Sequence, residues 1–130
     1  MVIDGTINGI SRYCFYGCRT LSEVVFQDSL AKSSSIKGIG VRAFGNCTSL
    51  ERLDLSAQSG LEVMGARTFE GCKNLTNIKL PENLQQIPEY CFEGCDALSI
   101  VQLGGDAVVE LGDRVFGEKD ELPQFLHIWV

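Results

Sequence analysis

Six cysteines, one histidine and two Asn-X-Thr triplets are the side chains of this 130-residue sequence whose types and spacing could do chemistry. Cys14 and Cys18 stand four apart, as do Cys91 and Cys95. That is the spacing of one helical face, where two thiolates could share a thiophilic metal. A structural zinc site, however, asks for four Cys or His ligands at recognisable spacing. His127, the single histidine, has no Cys or Ser partner at a diagnostic distance in sequence. The triplets Asn46-Cys-Thr and Asn74-Leu-Thr are glycosylation sequons and matter only in a eukaryotic secretory setting. No Gly-rich phosphate loop and no carboxylate pair stands out. The residues therefore predict no catalytic site, no cofactor and no metal.

The cysteines make sense once they are set in register. Phe15, Phe44, Phe69, Phe92 and Phe116 follow one another at intervals of 29, 25, 23 and 24 residues. Three residues after the first four stand Cys18, Cys47, Cys72 and Cys95; six after each stand Leu21, Leu50, Leu75, Leu98 and Leu122. Nine after come Val24, Leu53, Ile78, Val101 and Phe125. Five before are Ile10, Ile39, Met64, Ile87 and Leu111, and eight before are Ile7, Ile36, Leu61, Leu84 and Val108. A fixed period in the twenties is the mark of a stacked solenoid. Cys14 and Cys91 fall in the column just before the Phe, beside Ala43, Thr68 and Val115, so that column asks for a small side chain. Free Cys is such a side chain and is readily buried. Stacked thiols could pair if their Cα atoms came within about 5–6 Å, but ladder side chains point the same way. The reading favoured is six reduced thiols.

One repeat shows which elements must position these columns. Ile87, Cys91, Phe92 and Cys95 fall on one face of a short helix of about two turns. Gly17, Asn46, Gly71 and Gly94, two after each Phe, tolerate the positive φ that ends such a helix. Leu75-x-x-Ile78-x-Leu80 then changes to the period of a strand, and Pro81 stops it. The fold class predicted is an α/β repeat: a right-handed solenoid with a parallel β-sheet on the concave face and short helices on the convex face. Residues 1–130 form one domain, with a half repeat at 1–6, four full repeats over about 7–107 and a variant repeat over about 108–130. Polar residues at 28–35 lengthen the first interval as an inserted loop. The chain finishes on the apolar run Phe125-Leu-His-Ile-Trp-Val130, which could pair edge to edge with another copy.

Seventeen acidic against eleven basic residues give a net charge of −6. That excess argues against nucleic acid and anionic membranes, which need clustered Lys and Arg. Apolar runs fall well short of the ~18 residues that span a bilayer. The segment from Met1 to Ile10 lacks the basic and apolar regions of a signal peptide, so the expectation is an intracellular protein or a piece of a longer one.

The run Ile87-Pro-Glu-Tyr-Cys-Phe-Glu-Gly-Cys-Asp-Ala-Leu-Ser-Ile-Val101 resembles the BspA-type leucine-rich repeat, whose pattern is I-G-x-x-A-F-x-G-C-x-x-L-x-x-V-x-L-P. Gly40, Gly65 and Gly112 keep the glycine of that pattern. The Asn ladder of ordinary leucine-rich repeats is missing: Ser29, Gln58, Asn83 and Asp106 hold its places. The resemblance implies adhesion or protein binding, and a cell-surface or secreted location in bacteria or parasitic protists.

In the strands, alternate side chains point away from the core onto the concave face. Eight after each Phe these are Glu23, Arg52, Asn77, Ile100 and Gln124; ten after, they are Val25, Asp54, Lys79, Gln102 and Leu126. With parallel strands about 4.8 Å apart, Glu23 should adjoin Arg52, and Asp54 should adjoin Lys79. One reading is charge pairing that keeps an exposed sheet soluble. The other is a recognition strip for a protein partner, made by Glu23, Val25, Arg52, Asp54, Asn77, Lys79, Ile100 and Gln102. Two roles follow: a protein-binding or adhesion module, or a structural spacer within a larger repeat protein.

Overall fold

The computed structural model describes residues 1–4, 6–27, 35–104, 109–118 and 127–129. The inserted segment at 28–34, and with it most of the predicted loop, lies outside the described residues, as do Val108, Leu122, Gln124, Phe125 and Leu126. The chain winds through coils named here by their phenylalanines, coil 1 at Phe15 to coil 5 at Phe116. The inner coils bury their apolar columns against their neighbours.

Two rows of short strands run along the stack. The concave row holds β1 (Val2–Ile3), β3 (Val25–Phe26), β5 (Arg52–Asp54), β7 (Asn77–Lys79), β9 (Ile100–Gln102) and β11 (His127–Trp129). The other row holds β2 (Gly9–Ile10), β4 (Gly38–Ile39), β6 (Val63–Met64), β8 (Gln86–Ile87) and β10 (Glu110–Leu111). Every pairing among the described strands is parallel. The rings of Phe15, Phe44, Phe69, Phe92 and Phe116 stack in one column with centroids 5.3, 5.7, 5.7 and 6.0 Å apart. Phe44, Phe69 and Phe92 are buried along with the Leu and Ile columns around them.

The predicted helices on the convex face are absent among the described residues; a turn face stands in their place. The backbone bonds give the reason. Cys14, Tyr16 and Cys18 donate their N–H to the carbonyls of Ser11, Tyr13 and Phe15, three residues back. The residues between them, Tyr13, Phe15 and Gly17, donate across to Val41, Ala43 and Gly45 of coil 2. Coils 2 and 3 repeat the alternation. An α-helix needs every N–H for its own turn four residues back, so a chain that sends alternate donors to the next coil cannot be helical. What results is a run of β-turns, and a turn whose third residue has positive φ is of the type II kind. Gly17, Asn46, Gly71 and Gly94 take positive φ as the sequence requires. So do Tyr13, Arg42, Arg67, Tyr90 and Arg114, two before each Phe, with φ between 49° and 59°.

The cysteine column has its own bonding role. Cys47, Cys72 and Cys95 each donate their thiol to the carbonyl of the preceding coil's Phe, namely Phe15, Phe44 and Phe69, at 3.2, 3.0 and 3.1 Å. All six cysteines are free thiols in the structure. Burial pushes the Cys47 thiol up to about 11 and the Cys72 thiol up to about 12. Cys91 and Cys95 are raised for the same reason. Buried thiols of this kind are weak nucleophiles and weak ligands, since both roles need the thiolate.

The last strand corrects one column. Its predicted register set Phe125 beside Val101; instead Ile128 pairs with Val101, flanked by His127 on Ile100 and Trp129 on Gln102. The final coil therefore holds three more residues between Phe116 and its strand than coils 2, 3 and 4 do.

Candidate functional site

The concave face carries a groove of about 770 Å³ lined by Ser22, Glu23, Val24, Glu51, Arg52, Leu53, Asp54, Asn77, Lys79, Ile100 and Gln102. Seven of the eight side chains expected in the recognition strip line it; Val25, though exposed, does not. The strands place them by simple alternation. Leu53, Ile78 and Val101 turn inward and are buried, so their neighbours on either side must face out. Arg52, Asn77 and Ile100 share one rung line across β5, β7 and β9, and Asp54, Lys79 and Gln102 share the next.

Electrostatics across the face are mixed. Lys79 Nζ lies 3.9 Å from Asp54 Oδ2, with both side chains more than half exposed, so the pair is weak. Burial raises the Asp54 carboxyl, but hydrogen bonds from the hydroxyl and N–H of Ser56, together with Lys79, outweigh it and leave the group below its ordinary value. Among the described residues no group of three or more His, Cys, Asp or Glu is placed to hold a metal, and no helix is long and apolar enough to cross a membrane. His127 serves as a strand residue, donating its N–H to Ser99.

One sequence expectation fails here. Glu23 was predicted to sit beside Arg52 in a continuous ladder, but β3 pairs with β1 and β5 with β7, so the concave sheet is divided between coils 1 and 2. No Cα of β3 comes within 8 Å of a Cα of β5. Glu23 and Arg52 meet instead as lining of the same groove.

A second patterned surface escaped the sequence reading. On the turn face Arg42 bonds Glu70 at 2.9 Å, and Arg67 bonds Glu70 at 2.8 Å and Glu93 at 2.9 Å. The Arg67 guanidinium lies 4.2 Å from the centroid of the Tyr90 ring. At the N-terminal end Tyr13 and Tyr16 pack edge to face at 5.3 Å, and Arg42 donates to the Tyr13 hydroxyl. The signal was present in two unread columns: Tyr or Arg two before each Phe, and Glu70 and Glu93 one after.

Stacked parallel strands, a Phe column and a concave groove define a leucine-rich-repeat type of solenoid. The model of the BspA-type leucine-rich repeat region matches residues 1–122 in six copies, and the chain belongs to that family. Among solved structures it is similar to a leucine-rich repeat protein of T. pallidum, with 27% identity and a TM-score of 0.70 over 83% of this chain and 46% of that one. It is also similar to a leucine-rich repeat protein from Bacteroides ovatus, with 26% identity and a TM-score of 0.72 over 97% of this chain and 32% of that one. The chain thus spans about half of the first and a third of the second. None of the curated proteins compared matches it.

Proposed function

We propose that this chain is a protein-binding or adhesion module that presents its concave face to a protein partner, at a cell surface or in secreted form as family resemblance implies. The observation that carries this reading is the coincidence of the groove with the outward strand positions Glu23, Arg52, Asp54, Asn77, Lys79, Ile100 and Gln102. A groove edged by both charges and floored in part by Ile100 suits a polypeptide better than a uniformly charged polymer. No catalytic role is proposed for it. The alternative is a spacer that only holds other parts of a longer protein apart; the mixed, weakly paired charges of the face fit that role too.

The deciding experiment replaces Arg52, Asp54, Asn77 and Lys79 together with charge balance kept, and measures affinity for a partner obtained by pull-down. Outward positions away from special features cost within about 0.5 kcal/mol of stability, so the stack should stay folded. Loss of affinity supports the concave site. Full retention by a folded variant removes it and turns attention to the Tyr and Arg residues of the turn face or to the last strand, where self-association through an open edge would be tested by truncation after Leu122.

A further inference from the structure

The divided sheet allows a more specific inference about the same groove, and it rests on the protein-binding reading above. At the junctions from coil 2 onward the concave ladder is closed. Asn77 donates its N–H to Glu51, and Ile100 donates to Thr76. Leu55 donates to the carbonyl of Lys79, and Leu80 to that of Gln102. The equivalent groups at the first junction are the Arg52 N–H and Asp54 C=O of β5, and across the opening the Ser22 C=O and Phe26 N–H of coil 1. By strand alternation these groups point toward one another, yet among the described residues neither pair is hydrogen-bonded, and no Cα of β3 comes within 8 Å of a Cα of β5.

The same two coils are closed on their other flank. Gly9 and Ile10 register with Gly38 and Ile39, and Phe15 stacks on Phe44 at 5.3 Å. Coils 1 and 2 therefore form a wedge, shut at the turn face and open at the concave face. Adjacent parallel strands lie about 4.8 Å apart, so one vacant strand position needs roughly 10 Å. An unpaired strand edge is a template for another chain, and here two such edges face each other across one opening.

We propose that this opening is a vacant strand position, and that an extended segment of a partner protein fills it by pairing its backbone with both β3 and β5. The walls specify the segment. Its inward side chains would meet Val24 and Leu53, both already buried, so they must be small. Its outward side chains would lie among Glu23, Glu51 and Asp54, with Arg52 and Lys79 as the cations of the lining. The acidic edge, and a chain of net charge −6, favour Lys or Arg at those outward positions. The partner segment is thus extended and basic, with Gly, Ala or Val at alternate residues. Binding by strand addition takes its affinity from main-chain bonds and its selectivity from alternate side chains.

The test uses the 130-residue chain and an eight-residue peptide alternating lysine and valine. A second peptide is identical but N-methylated at every other residue, so that it keeps its side chains and loses the donors along one edge. Calorimetry and amide hydrogen exchange are the readouts. The parent peptide is expected to bind and to slow exchange at the Arg52 and Phe26 amides, and the methylated peptide to bind about tenfold more weakly. Arg52→Pro, tolerable because a strand edge accepts proline, should match that loss, while Arg52→Ala, which keeps the N–H, should lose less. Equal binding of the two peptides, or no slowing at Arg52 and Phe26, overturns the proposal. If affinity for a pulled-down partner falls in the quadruple variant but not in Arg52→Pro, the concave reading stands and strand insertion falls. A concentration-dependent dimer that protects the same amides without peptide would assign the opening to a second copy and overturn the partner assignment.

Discussion

Coil 1 and coil 3 place the same kinds of residue in the same columns and give them different surroundings. Leu61, Thr68 and Phe69 of coil 3 have no solvent exposure, whereas Ile7 and Cys14 of coil 1 are exposed and Phe15 is half-buried. The repeat therefore sets the shape of a coil, but burial comes from having a neighbour on each side. Stability in such a stack is a sum of coil and interface contributions, and the contrast can be tested column by column.

The largest effect should come from the Phe column. Phe69→Ala is expected to cost about 3–5 kcal/mol, since its ring lies between Phe44 and Phe92 at 5.7 Å from each. Phe15→Ala, with a ring neighbour on one side, should cost roughly half as much by the same cavity argument. Chemical-denaturation midpoints that move equally for the two would break the comparison.

Glycines sharpen it at the backbone. A Cβ on Gly65 would stand 2.3 Å from the Val41 nitrogen of coil 2, backbone that cannot move aside, so Gly65→Ala should cost about 1–3 kcal/mol or more. Gly17 of coil 1 has nothing within 4 Å of that position, and only its φ of +72° opposes a side chain. Gly17→Ala should therefore cost about 1 kcal/mol. Thermal melts of the two variants compare close packing with backbone conformation directly.

Thiol chemistry gives a third contrast. Native protein at pH 8 should alkylate at exposed Cys14 first and half-buried Cys18 next, while Cys47, Cys72, Cys91 and Cys95 stay protected; after denaturation without reductant six labels are expected. Because the Cys72 thiol is raised from 9.0 to about 12 in the folded chain, the unfolded state loses its proton first as pH rises. The stability it contributes is complete below about pH 9 and is lost toward pH 12. Cys72→Ala should flatten that alkaline slope, as read by urea titrations from pH 8 to 11.

The smallest effect belongs to the concave charges. Asp54→Asn should change stability by within about 0.5 kcal/mol, because its bridge to Lys79 is long and exposed. A double-mutant cycle with Lys79→Gln that returned several times that value would make the pair part of the stack's framework rather than of its surface.

What was legible follows from what repeats. The Phe, Leu and Cys columns recur at every turn of the stack, so their burial could be read from spacing, and the outward strand positions followed by alternation. The helix was misread because Ile87, Cys91, Phe92 and Cys95 satisfy a helical face while the backbone sends every second N–H to the next coil. Positive φ at Tyr13, Arg42, Arg67, Tyr90 and Arg114 was hidden by residue type, since none is a glycine or asparagine. The opening between β3 and β5 breaks the period once among the described strands of the concave row. The 29-residue interval marked where regularity ends, but spacing along a sequence carries no distance between strands.

The turn face has a direction. From coil 1 to coil 2 the N–H groups of Tyr13, Phe15 and Gly17 donate forward, and those of Arg42, Phe44 and Asn46 do the same to coil 3. Arg67, Phe69 and Gly71 continue the pattern to coil 4, and Tyr90 and Phe92 to coil 5, with the accepting carbonyls turned back toward the first coil. Parallel strands cancel their dipoles by alternating, but these peptides add theirs, much as in an α-helix. The sense is opposite to that of a helix: the electropositive pole lies at the C-terminal end of the stack and the electronegative pole at the N-terminal end. The molecule is thus electrically polar along its axis, independently of its charged side chains, and each added coil of this kind lengthens that dipole without changing its direction.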